Sequence, residues 1–164
     1  MSNEPLPSAS FCNTGRLDAA ALTFTVWPNN PDPFRHMNNG RYLTIMDLGR
    51  LDYLIKTGLV GRMHRLGWEL ALGAAEMRYM RPLLPFQRYE LKTKVVCWDD
   101  KWFYKEQRFV RGGSTVAAGH VKVLLRGKNG NVPTRDVLDA VGARKKSPEP
   151  PEQVKLWQEM EKKR

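Results

Sequence analysis

Two cysteines, Cys12 and Cys97, stand in a chain of 164 residues. That is too few for a disulfide framework, and their separation matches no metal-ligand spacing. No stretch is long and apolar enough to cross a bilayer as a helix. The opening MSNEPLPSASF has no basic run followed by an apolar one, so no signal peptide is read and a cytoplasmic location is expected. G-x-S-x-G, H-E-x-x-H, a Walker motif and G-x-G-x-x-G are all absent, which removes the α/β-hydrolase elbow, the zincins and the common nucleotide loops. No internal repeat is evident, and no metal site is indicated. Acidic residues are short: 17 against 27 Lys and Arg, for a formal net charge of +10. That balance suits an anionic partner, whether nucleic acid, an anionic membrane or a phosphorylated small molecule. The basic residues are scattered over strands and the C-terminal tail without a zinc or RNP-type motif, which argues against nucleic acid.

Hydrophobic residues make up 41% and charged residues 27%, the composition of a globular domain with enough chain for one core. The chain is organised around NNPDPFRHMNNGRYLTIMDLGRLDYLIK, residues 29–56. Its first third is a turn-rich loop with Asp32, His36, Asn38 and Asn39, kept out of any ladder by Pro31 and Pro33. Residues 41–56 hold no proline and read as a helix, with Asn38 or Asn39 able to cap it. At about 100° per residue Tyr42, Ile45, Met46, Gly49 and Tyr53 share one side. Leu48, Leu51 and Ile55 share another, and Leu43 and Leu54 a third, so a helix buried on most sides is expected.

Residues 1–20, rich in Ser, Pro and Asn, are expected to hang loose. Residues 22–27 (LTFTVW) alternate as a strand. After the core helix, residues 58–67 form a break with a short helical turn carrying His64, read as a surface residue. Residues 68–81 read as one long strand bent at Gly73. Three more strands follow at 89–98, 102–110 and 115–126, joined by Asp99-Asp100 and by the hairpin turn Arg111-Gly112-Gly113-Ser114. Residues 127–133 read as a loop, and Thr134 can cap a short helix through Val141. Residues 144–151 are a linker before a charged terminal helix. One strand, a core helix and consecutive antiparallel strands predict an α+β fold, with a curved antiparallel sheet wrapped around one long helix. The domain spans 21–142, with linker and C-terminal helix over 143–164.

Asp32 and His36 lie four apart in an irregular loop, so both can point into one pocket. A carboxylate there can act as general base for a water or attack a carbonyl itself. His36 can orient the attacking group or give a proton to a leaving group. The helix N-terminus can hold an oxyanion through backbone N–H groups near Gly40 and Arg41. The combination fits acyl transfer to water. Asp is also a turn former and His a common hydrogen-bonded loop residue, so the pair by itself leaves both readings open.

The run Asp32-x-x-x-His36-Met37-Asn38-Asn39-x-x-Tyr42, ahead of a core helix and four long strands, resembles the hotdog-fold thioesterases. It is most similar to the branch of 4-hydroxybenzoyl-CoA and acyl-ACP thioesterases, and MDLGRLDYL and WDDKWFYKEQRF resemble its THEM6-like members. The resemblance implies a homodimer, possibly a tetramer, whose sheets join edge to edge with active sites at the subunit interface. It implies hydrolysis of an acyl-CoA or acyl-ACP thioester with no cofactor beyond the coenzyme A of the substrate. Many relatives carry acids six and four positions before the histidine; here these are Asn30 and Asp32. This matches the acyl-ACP type, in which the nearer acid works with the histidine, though Phe34 replaces a polar residue. The resemblance therefore assigns Asp32 as base or nucleophile, His36 as its partner, and Asn30 as a group that orients water or the thioester carbonyl. It gives Asn38, Asn39, Gly40, Arg41 and Tyr42 to the substrate side, with capping an open alternative for the asparagines and packing for Tyr42.

Asp52 with Lys56 and Asp47 with Arg50 have ion-pair spacing on the helix, and Asp47 is a secondary candidate for a catalytic acid. Arg78, Arg81, Arg88, Lys101, Arg111 and Lys128 can meet nucleotide phosphates or simply face solvent. Phe34, Trp68, Tyr79 and Phe86 can line an acyl tunnel or the core. The alternative function is a non-catalytic acyl-thioester-binding hotdog protein; a hotdog dehydratase is a lesser enzyme alternative.

Overall fold

In the computed structural model, residues 19–28, 36–143 and 146–163 are described. Strand β1, Ala20–Thr25, precedes helix α1, Asn39–Lys56, and a short helix α2, Leu59–Leu66. Four long strands follow: β2, Glu69–Tyr79; β3, Arg88–Trp98; β4, Phe103–Arg111; β5, Ser114–Gly127. A three-residue strand β6, Gly130–Val132, and helices α3, Thr134–Val141, and α4, Glu152–Lys162, complete the chain. The sheet is antiparallel in the order β1-β3-β4-β5-β2, with β6 paired to the end of β5. Register shifts at Leu72/Ala74, Val95/Cys97 and Phe109/Val110 bend the strands and curl the sheet around α1. This is the α+β architecture expected from the order of elements, and the hotdog fold that the resemblance implies.

Helix α1 buries Tyr42, Ile45, Met46, Gly49, Tyr53 and Leu54, much as its 3.6-residue period foretells, and Arg50 with them. It crosses the sheet at Gly49, where a Cβ would stand 2.4 Å from Leu91 Cδ2 and 2.8 Å from Thr93 Oγ1. Only the absence of a side chain allows that approach. The expectation of burial on most sides is corrected in part: Leu43, Leu48, Leu51 and Ile55 are exposed. The sheet covers one side of the helix, and no other described element covers these leucines and the isoleucine.

Gly73, the expected bend of β2, lies at that strand's register shift, with a Trp102 ring carbon 2.4 Å from where its Cβ would be. Residues 127–133 are not a simple loop. Lys128 and Asn129 turn the chain, Gly130 takes φ +105, and β6 folds back on β5. Thr134 is not the cap of α3. Pro133 holds that position, and the Thr134 hydroxyl donates to the Asp99 carbonyl at 2.5 Å, tying α3 to the β3–β4 turn. Helix α4 docks on the outer sheet face, where Val154 is buried with Cys97 and Tyr104. The Trp98 N–H donates to Ser147 Oγ at 2.8 Å and anchors the segment before it. No helix among the described residues is long and apolar enough to cross a membrane.

Candidate active site

Asp32 and Asn30, the acid and amide of the proposed site, lie outside the described residues, as does Phe34. His36, half-buried, is the first described residue after them, and Met37 and Asn38 lead from it into α1. Met37 is buried, and its N–H donates to the Leu83 carbonyl at 2.8 Å, which pins the loop to the connection between β2 and β3. Asn38 takes extended dihedrals (φ −60, ψ 142) and is the N-cap of α1. Its Oδ1 accepts from the Gly40 N–H at 2.8 Å, and its carbonyl accepts from the Arg41 N–H at 2.9 Å.

This cap bears on the expected oxyanion donors. The N–H groups of Gly40 and Arg41 are already engaged by Asn38, so an incoming oxyanion has to share or displace those bonds. The N–H of Asn39 stands ahead of them at the same positive end of the helix dipole. Asn38 therefore works as a cap, and Asn39 is exposed on the first turn.

Tyr42 turns inward and packs edge-on against Tyr79 and Phe109, with ring centroids 5.1 and 4.9 Å away. Burial raises its phenol above the ordinary value, with a backbone hydrogen bond at Leu83 opposing that shift. In this neighbourhood Tyr42 is a core residue. Arg41 is half-buried and borders a cavity of about 280 Å³ with Val26, Trp27, Met37, Ile45 and Tyr89. The cavity joins an apolar floor to one guanidinium, directly behind the helix N-terminus. Burial drives the Tyr89 phenol up, and its hydroxyl lies 3.9 Å from the Met37 sulfur.

A second polar group sits mid-helix. Asp47 is 68% exposed and pairs with buried Arg50. Arg50 Nη1 donates to Gln107 Oε1 at 2.8 Å, while Gln107 Nε2 donates to the Met46 carbonyl at 2.9 Å and to Thr93 Oγ1 at 3.0 Å. Burial lowers the Arg50 value, and Asp47 opposes that. Asp47 and Arg50 open onto a groove of about 430 Å³ shared with Leu51, Val60, Met63 and the exposed His64. Asp52 pairs with Lys56 at 2.7 Å.

Gln107 and Lys105 are missing from the sequence reading. Both occupy inward positions of β4, alternating with Phe103 and Phe109. Aromatic residues on both faces of that strand hide its direction, and the polar side chains at every second position are the signal that could have marked them. Of the six cations set aside for phosphates, Arg78, Arg81, Arg88 and Arg111 gather at the sheet end that carries the Leu83 contact. Lys101 and Lys128 lie in turns at the opposite end. Among the described residues no cluster of His, Cys, Asp and Glu could hold a metal ion.

A curled sheet around one helix, with a histidine loop delivered to that helix's N-terminus, defines the hotdog class of thioesterase-like proteins. The chain belongs to the thioesterase-like superfamily, whose family model matches residues 26–158. It is THEM6-like within that class: Protein THEM6 of Xenopus laevis is 36% identical over 135 residues, covering 80% of this chain and 63% of that protein. The chain thus spans less than two thirds of the length of that relative. Among solved structures, the probable thioesterase YbaW of Escherichia coli superposes with a TM-score of 0.69 at 18% identity, covering 74% of this chain and 94% of that one. The hypothetical protein SAV2348 of Staphylococcus aureus, solved in complex with CoA, gives 0.69 at 15% identity over 84% and 92%. These two show the shared fold.

Proposed function

We propose that the chain hydrolyses an acyl-coenzyme A thioester, with an acyl-carrier-protein thioester as the other carrier of the same group. What carries the reading is the delivery of the His36 loop to the capped N-terminus of α1, held by the Met37–Leu83 bond. In this reaction Asp32 removes a proton from water or attacks the thioester carbonyl, and His36 orients the attacking group and protonates the thiolate. Asn30 orients the water or the carbonyl. Negative charge developing on the carbonyl oxygen is met by the positive end of α1. Arg41 and the cavity behind it offer a cation and apolar walls to the thioester arm. No metal or organic cofactor has a part in these steps.

A homodimer belongs to the same reading. Among the described residues β2 has no strand on its outer edge, where its backbone groups are unpaired. Leu72 on that strand and Leu48, Leu51 and Ile55 on α1 are exposed. A second copy pairing edge to edge would cover apolar surface and satisfy the edge. A cytoplasmic location is part of the proposal, and the buried free thiol of Cys97 fits a reducing compartment.

The engagement of Gly40 and Arg41 by Asn38 favours the second reading, a protein that binds acyl thioesters without cleaving them. Thiol release from short, long and aromatic acyl-CoAs, run with wild type, Asp32→Asn and His36→Ala, separates the two. Hydrolysis that falls about 10²-fold or more in both variants is expected for groups that handle the proton. Equal hydrolysis in all three proteins refutes the assignment. Binding without turnover in wild type leaves the second reading standing.

A further inference from the structure

The antiparallel order gathers the C-terminal ends of β1, β2 and β4 with the N-terminal ends of β3 and β5 at one end of the sheet. Two large aromatic residues project there: Trp27 is 62% and Phe86 68% exposed, with Leu84 at 44% beside them. The segments that carry them are neighbours, because the Phe86 N–H donates to the Val26 carbonyl at 2.7 Å.

Phe86 is held outward by its backbone. Leu84 to Gln87 form a turn closed by the Gln87 N–H on the Leu84 carbonyl at 3.2 Å, with Pro85 second and Phe86 third. Phe86 has φ +66, the only positive value of any described residue other than glycine. A type II turn requires positive φ at its third position and normally takes Gly or Asn there. A bulky residue kept in that conformation and left in solvent marks a site where the side chain is used.

The same end is basic. Arg81, Arg88 and Arg111 are exposed, and no carboxylate among the described residues pairs with them. Residues 78–89 and 108–115 contain no Asp or Glu. The first described acid beyond them on β3 is Glu90, 3.6 Å from Lys92.

We propose that this end of the sheet docks on an anionic lipid membrane, with Trp27, Leu84 and Phe86 entering the interfacial layer and Arg81, Arg88 and Arg111 meeting lipid phosphates. Aromatic and aliphatic side chains at loop tips, ringed by arginine, have the chemistry of interfacial anchors, and the net charge of +10 adds long-range attraction. A second copy is the poorer occupant. A two-fold contact through this patch sets arginines against arginines with no described carboxylate to neutralise them. Docking would bring the N-terminus of α1 to the lipid surface, because Met37 is bonded to Leu83 in the same connection.

The test is co-sedimentation of the full chain with vesicles of phosphatidylcholine alone or of phosphatidylcholine with phosphatidylserine, at low and high salt. Wild type is expected on the anionic vesicles, less on the neutral ones, and less again in high salt. Arg81→Gln and Arg88→Gln should each lower partition about fivefold. Phe86→Gly is the sharper variant, because glycine is at ease with positive φ. It should fold with a Tm at or above wild type yet lose about fivefold or more in partition. Absence of wild type from the anionic vesicles overturns the proposal. So does binding that neither the arginine variants nor Phe86→Gly alters, since net charge alone would then explain it. Full displacement by coenzyme A alone would make the arginines a nucleotide site and also refute docking. A wild-type oligomer that Phe86→Gly dissociates without lipid would assign the patch to a second copy. Lipid binding is read without turnover, so its failure leaves the hydrolase reading untouched.

Discussion

Replacing Lys105 by Met should make the protein more stable at neutral pH and remove a pH dependence that wild type shows. Lys105 is 3% exposed on the inward face of β4. Its ammonium lies 4.5 Å from the centre of the Tyr53 ring, beside a small apolar cavity lined by Leu54, Phe103 and Val137. No carboxylate among the described residues pairs with it. Burial first, and the Arg50 charge second, pull it from 10.5 down to about 7. In the unfolded chain the amine keeps its proton up to the ordinary value. Above pH 7 the unfolded chain therefore holds a proton that the folded protein has released, and stability rises with pH. The rise is about 1.6 kcal/mol between pH 7 and about 8.5, at 1.36 kcal/mol per unit with release half complete at the lower limit. Above that window Cys97 works the other way. Burial pushes its thiol from 9.0 to about 12, so the unfolded chain loses that proton first and the Lys105 gain is offset. His120, drawn below 6.5 chiefly by burial, gives its own gain at lower pH, largely complete by pH 7. Methionine fills similar space without the cost of neutralising or burying a charge, which is worth about 2 kcal/mol at pH 7. Urea midpoints of both proteins at pH 7, 7.5, 8 and 8.5 measure this. An Lys105→Met protein that keeps the wild-type slope, or is less stable at pH 7, refutes the account.

Gly49→Ala should cost about 2 kcal/mol, since its Cβ would press on Leu91 and Thr93 and push α1 off the sheet; thermal unfolding measures it. Asn38→Ala should lose about 1 kcal/mol of stability and Asn38→Asp should keep it, because either Asn or Asp can accept from the Gly40 N–H; a loss in both variants would show that capping is not the role. Val154→Asp should lift α4 from the outer sheet face and raise the labelling rate of Cys97 by about tenfold or more, read with a chromogenic disulfide reagent.

The order of elements was legible because its signals are local. Period 3.6 in α1, period 2 in β3 and the Gly112-Gly113 turn each depend on a few neighbouring residues. Gly73 was legible as a bend for the same reason. Less could be read where the answer depends on a distant partner. Thr134 has the chemistry of a cap, but the Asp99 carbonyl competes for its hydroxyl, and a proline can begin a helix without one. Lys105 and Gln107 drew no reading from the sequence, because aromatic residues on both faces of β4 hide which side meets the helix. The apolar third of α1 made by Leu48, Leu51 and Ile55 signals burial, yet these residues are exposed and no described element covers them. Of the site, the N-cap and the loop-to-helix junction were legible from Asn38 and the residues around it. The exchange of Gly40 and Arg41 N–H groups with Asn38 was not, because both groups are backbone and carry no signature.

The charge pattern of α1 ties the core to the site. A helix whose mid-section carries buried Arg50 needs that cation satisfied, and Gln107 does so while also binding the Met46 carbonyl and Thr93. These bonds fix the rotation of α1 about its own axis, since a turn of one residue, about 100°, would carry Arg50 away from Gln107 and bring a side chain to the sheet where Gly49 now passes. Rotation in turn sets which side of the first turn faces the His36 loop. An apolar core could seal the same area and still leave the helix free to settle in neighbouring registers. The polar contact specifies one of them. The N-terminus of α1 is therefore positioned by residues in the middle of the helix and on two strands, β3 and β4, while among the described residues the segment ahead of the helix contributes the backbone bond from Met37 to Leu83.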